Sequence, residues 1–330
     1  MPEIDCEWSS AMSRRDRFAD LEPLAAVVQR LGVLLAAGVA PSSGWDYVAE
    51  AARGSSAEAA RRVTEAVARG GSIADAIVEV AKSRGADATA WRGLAAAWLV
   101  ATDAGAPLAS TLAEFSASLR SLAQNQRDLD TALAGPVATA RMVMVLPVVG
   151  ILFGMALGFD SLRVLFTTPP GLVCLALGLL LMLLAQLWNR RLLRRARPTN
   201  LTPGLALDLM AIAVSGGASL SRAERAVADA RETCGIAPDR PDGSDGSEGS
   251  DAAIAEVLAL SRRAGIPAAA LLRSEATEAR RAARSAGERA AATLAVTLML
   301  PLGLCILPAF MLLGVAPLLI AVVSSTVSGL

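Results

Sequence analysis

The sequence predicts an all-α integral membrane protein with two duplicated cytoplasmic helical-bundle domains and three transmembrane helices. Three observations carry that fold class. First, residues 142–159 and 171–188 are almost uninterrupted apolar runs. Each is about 18 residues, or about 27 Å as helix, close to the hydrocarbon thickness of a bilayer. Second, residues 290–330 contain no charged side chain. Third, the segments before and after the 142–188 hairpin repeat the same helix stops in the same order, the mark of an internal duplication.

Composition agrees with a chain that lives in two phases. A mean hydropathy of +0.48 with 54% apolar residues is high for a soluble protein, while 19% charged residues is too many for a bundle of spans alone. Net charge is zero, so nothing marks a nucleic-acid partner. The four cysteines, Cys6, Cys174, Cys234 and Cys305, are scattered, and with no histidine present they make no metal-ligand spacing.

In chain order, 1–20 reads as a polar N-terminal tail without the apolar core of a signal peptide. The first helical domain is expected over 21–135. It opens on Leu24, Val27, Val28, Leu31, Leu34 and Leu35, spaced by three and four residues, and this stripe stops at Gly38. Short capped helices follow, over 58–69, 73–80 and 90–102, and Pro107 opens a long helix. The transmembrane helices 142–159 and 171–188 come next. The arginines at 190, 191, 194, 195 and 197 resist crossing a bilayer, which keeps both long flanks in the cytoplasm. Gly150, Gly154 and Gly158, four residues apart, allow close helix approach.

The second helical domain is expected over 198–289. Gly38 with its following cap has a counterpart in Gly217, and Asp103-Ala-Gly105-Ala-Pro107 one in Arg263-Ala-Gly265-Ile-Pro267. Between these landmarks, 235–251 is rich in Gly, Ser and Asp and reads as a flexible acidic loop. The last transmembrane helix, 292–316, carries Pro301 and Pro308 and is expected to be kinked. Arg280, Arg281, Arg284 and Arg289 mark its cytoplasmic entrance, so the short tail 317–330 is expected outside.

The search for chemistry removes most enzyme classes. There is no phosphate-cradling P-loop, and without histidine there is no histidine base, zinc motif or triad. The carboxylate neighbours Asp128 with Asp130 and Asp46 with Glu50 read as solvated helix faces. We therefore assign no catalytic, cofactor-binding or metal-binding residue and expect no enzymatic activity. The spans lack Asp, Glu, Lys and Arg, which weighs against the alternative reading as a transporter or channel component.

These landmarks carry a family resemblance, most specifically Leu31-Gly-Val-Leu-Leu-Ala-Ala-Gly38, Gly105-Ala-Pro107, Gly265-Ile-Pro267 and the Leu-Pro steps at Pro147 and Pro301. The chain resembles the inner-membrane platform proteins of type II secretion and type IV pilus assembly, the GspF/PilC group. In size and in its Arg- and Ala-rich style it is most similar to the TadB/TadC branch of tight-adherence (Flp) pilus assembly. The resemblance implies a multi-pass scaffold of the bacterial inner membrane that couples a cytoplasmic assembly ATPase to pilin or pseudopilin, as a homo-oligomer or with a second platform protein. Membrane lipid is the other implied partner. Residues 57–82 and the acidic loop depart from the duplicated pattern.

Overall fold

The computed structural model describes residues 21–85, 87–156, 166, 168–195, 203–236, 250–317 and 319–320. The N-terminal tail, most of the 160–170 link, most of the acidic loop and nearly all of the C-terminal tail lie outside the described residues. Every regular element among the described residues is helical. The chain divides into two compact units. One takes the described residues of Met1–Gln126 and Thr199–Ala283, the other those of Arg127–Pro198 and Arg284–Leu330.

The first unit begins with α1 (Leu21–Ala36), whose Leu24, Val27, Val28 and Leu31 are buried on one stripe. The helix stops where Gly38 turns to φ +87°. Its N–H donates to the Leu35 carbonyl, and that of Val39 to the Leu34 carbonyl, each at 3.0 Å. This closes the last turn in a conformation only glycine adopts cheaply. Helices α2 (Pro41–Ala51), α3 (Ser55–Ala68) and α4 (Ile73–Lys82) follow. Ser72 caps α4, its Oγ accepting the Asp75 N–H at 3.1 Å and donating to the Asp75 carboxylate at 2.6 Å.

Helix α5 (Ala88–Ala104) is buried almost all round, so it lies in the middle of the unit. Trp98 meets Trp45 of α2 with ring centroids 6.3 Å apart, and Arg84 lies over the Trp91 ring at 5.3 Å. The next helix, α6, runs from Leu108 to Ala156 without interruption. Helix α7 (Pro169–Arg195) belongs to the second unit.

The chain returns to the first unit with α8 (Leu205–Ser215), α9 (Leu220–Thr233), α10 (Ser250–Ala264) and the start of α11 (Ala268–Thr297). Like α5, α8 is buried on nearly every side. The helical segments that the sequence reading separates share one continuous apolar core. Leu31, Trp45, Ile77, Leu94 and Leu119 belong to it, and so do Leu209, Met210 and Leu272. Each such buried side chain contributes about 1.5–3 kcal/mol relative to exposure. Close backbone approach makes the sharing possible. A Cβ on Gly216 would overlap the Ala104 carbonyl at the end of α5, and one on Gly204 would lie 2.9 Å from the Ala276 carbonyl.

The helix stops paired in the sequence have matching backbones. Gly38 and Gly217 sit at φ +87° and +83°, Gly105 and Gly265 at +68° and +66°. Among the described residues, no helix of the second segment stands where α3 and α4 stand in the first.

In the second unit, α7 runs antiparallel to the end of the chain. Gly178 faces Leu313, so close that a Cβ would lie 2.5 Å from it, while Ala185 clusters with Cys305 and Ile306. The later part of α6 runs parallel to α11 and its continuation, with Asp128 paired to Arg284 and Gly150 against Phe310 and Gly314. The close approach expected at Gly150 is thus made; Gly158 lies outside the described residues. Beyond α11 the winding changes. Short α-helical turns at Met299–Pro301 and Leu307–Phe310 alternate with π-helical turns at Leu302–Ile306 and Met311–Val315. Pro301 and Pro308 lack the N–H that would bind the carbonyl four residues back, so the helix widens beside them.

Candidate functional site

Two features stand apart from ordinary packing, one in each unit. In the first unit, a polar cluster interrupts the apolar contact of α6, α8 and α11. Asp208 is the one charged residue of α8. Arg280 of α11 donates to its Oδ2 at 2.8 Å, and the Ser118 hydroxyl of α6 lies 3.5 Å from the same oxygen. The Asp208 and Arg280 side chains are only 18% and 12% exposed. Two turns back along α11, Arg273 donates to Glu114 of α6 at 2.8 Å in a more exposed pair.

Burial pushes the Asp208 carboxyl above its ordinary value. Arg280 pulls it down by charge and hydrogen bond, the Glu114 charge pushes it up, and the Ser118 hydrogen bond lowers it. Desolvation therefore outweighs the ion pair, as is common for charges taken out of water. The cluster fixes α8 and α11 in one register.

Cys234 is buried, and burial with the nearby Asp75 charge raises its thiol to about 11, which keeps it protonated and unreactive. No group of three or more His, Cys, Asp or Glu able to hold a metal occurs among the described residues. Of the carboxylate neighbours raised from the sequence, Asp46 and Glu50 lie on the exposed face of α2. Asp128 is paired with Arg284 at 3.0 Å.

The arginines read as the entrance to the last span divide into roles. Arg280 is buried on Asp208, Arg284 binds both Asp128 and Glu288, and Arg281 pairs with Glu278. Sequence reasoning missed the Asp208 cluster. Its signal was a lone carboxylate inside the apolar helix Leu-Ala-Leu-Asp208-Leu-Met-Ala-Ile.

In the second unit the notable feature is apolar surface. Among the described residues, two helices are long and apolar enough to cross a membrane, Pro169–Asn189 and the stretch Ala268–Val315. Only 17% of the most apolar window of the first is buried. Leu172, Val173, Leu177, Leu179, Leu180, Leu183, Leu184 and Leu187 are all exposed. So are Val296 in the last turn of α11, Met299, Leu300, Leu304, Leu307 and Met311 beyond it, and Met142, Val149 and Leu152 on α6. Soluble monomers rarely expose an apolar surface of this extent, which marks it as one that a membrane or another protein covers. The sequence reading expected three spans. Residues 142–156 of the first of these continue α6, and 157–159 lie outside the described residues.

Because α7 is antiparallel to the last stretch, its arginine end lies toward the same end of the unit as Arg284, Glu288 and Arg289. Apolar and charged groups are thereby segregated along the bundle axis. Residues 27–156 match the family model for type II secretion system (T2SS), protein F. The protein F match runs from within α1 to the end of α6, and so takes in both features: the α6 side of the polar cluster and the α6 part of the apolar surface. No curated protein and no solved structure matches the chain.

Proposed function

We propose that this chain is a non-enzymatic, multi-pass platform of a bacterial inner-membrane machine for type II secretion or for type IV or Tad pilus assembly. In this reading the helical unit faces the cytoplasm and receives force from an assembly ATPase. The spans pass that force to pilin or pseudopilin subunits. The observation that carries it is the protein F match over a helical unit whose α6 runs on into exposed apolar surface. Three crossings, with the N-terminus inside and the C-terminus outside, follow from the arginine positions. The two helical segments are read as copies of one ancestral domain, supported by their paired helix stops. A TadB/TadC-type pairing with a second platform chain rests on the sequence resemblance.

The chain has no nucleotide-binding P-loop of its own, so the energy must come from a partner. The test is co-expression of the full-length protein with a secretion or pilus assembly ATPase from the same genome, followed by purification in detergent. A complex is expected that Arg273→Glu, Glu114→Arg and other charge changes on the first unit alter. A complex that persists unchanged when the helical unit is removed would overturn the reading.

A further inference from the structure

The arginine-rich end of α7 points to a specific lipid contact, an inference that rests on the membrane placement proposed above. Trp188, at the edge of the exposed apolar surface, is 36% exposed. Arg190, Arg191, Arg194 and Arg195 follow within two turns of the same helix. Helical spacing sets Trp188, Arg191 and Arg195 on one face, at steps of three and four, and Arg190 with Arg194 on the adjoining face. Arg191 is exposed and forms no ion pair among the described residues.

No Asp or Glu occurs anywhere in α7, so its own helix offers the four guanidiniums no counter-charge. Glu288 of α11 is already engaged by Arg284 at 2.9 Å. An indole at the rim of an apolar belt marks the depth of the membrane interface, and guanidiniums just past it lie at the level of lipid phosphates. The guanidinium fork binds a phosphodiester through two hydrogen bonds, where a lysine ammonium offers only a point charge.

We propose that residues 188–195 of α7 form a binding site for the headgroup of an anionic phospholipid, held by its phosphodiester. A zwitterionic lipid presents the same phosphate with an attached ammonium, which the four arginines repel. Charge complementarity therefore selects the anionic class.

The test uses the full-length protein reconstituted in vesicles of phosphatidylcholine containing a minor share of brominated lipid, either phosphatidylglycerol or phosphatidylcholine. The readout is the part of the tryptophan quenching that Trp188→Phe removes. Brominated phosphatidylglycerol should be enriched around Trp188 by about fivefold or more over brominated phosphatidylcholine, on the scale expected for even one well-placed arginine. Replacing all four arginines by Gln should abolish the preference, while replacing all four by Lys should keep part of it.

Equal quenching by the two lipids in the wild type, or a preference that survives the four Gln changes, would overturn the site. Loss of the preference on adding soluble glycerophosphate would mean that free phosphate esters are the ligand, and would also overturn it. Failure of the protein to float with vesicles of either composition would overturn the membrane placement itself, a result distinct from equal quenching.

Discussion

Asp208 shows how one residue can hold a helix pair at a cost. Its carboxylate is almost out of water, and desolvation lifts its pKa although Arg280 sits 2.8 Å away. Asp208→Leu alone would strand the Arg280 guanidinium in an apolar contact and should lower stability by about 3 kcal/mol. Adding Arg280→Met should restore stability to within about 1 kcal/mol of wild type, because a well-packed apolar pair replaces a desolvated ionic one. Urea unfolding of the detergent-solubilised chain measures both. A carboxyl with a raised folded pKa binds its proton more tightly when folded. Its contribution is therefore full below the ordinary value of 3.8 and is lost as pH rises through the folded value. Wild type should accordingly lose stability relative to the double variant over that rise. A lone carboxylate in α8 was legible in the sequence, but its partner lies 72 residues away and only the fold joins them.

The helices themselves were largely legible. The α1 stripe is buried at Leu24, Val27, Val28 and Leu31 as its spacing requires, and the stops at Gly38 and Gly105 fall where a left-handed residue was needed. The prolines at 301 and 308 mark the irregular winding that follows them. The sharing of one core by α5 and α8 was not legible. Periodicity tells which face of a helix is apolar but not which helix covers it, and both of these are apolar on nearly every side.

Asn189 is a similar case at the end of the apolar part of α7. Its spacing gave no hint of burial, yet it is 8% exposed and its Oδ1 has no hydrogen-bond partner among the described residues. An unpartnered buried acceptor costs about 1–3 kcal/mol. Asn189→Leu, which keeps the γ-branched shape without the polar atoms, should leave the thermal midpoint unchanged or raise it. A fall equivalent to more than about 1 kcal/mol would show that the carboxamide secures a neighbour.

At the scale of the whole molecule, the chain separates its chemistry. The first unit covers its apolar side chains in a shared core, whereas the second leaves a belt of leucines, methionines and valines uncovered along α6, α7 and the end of the chain. The account depends on lipid covering that belt. The direct measurement is the accessibility of a spin label at Leu180, the middle of the α7 belt, in vesicles, against one at Val33, which is exposed on α1 of the first unit. Relaxation of the Leu180 label should be driven by lipid-soluble oxygen and barely by an aqueous nickel chelate, with the reverse at Val33. A Leu180 label as open to the chelate as the one at Val33 would contradict the account.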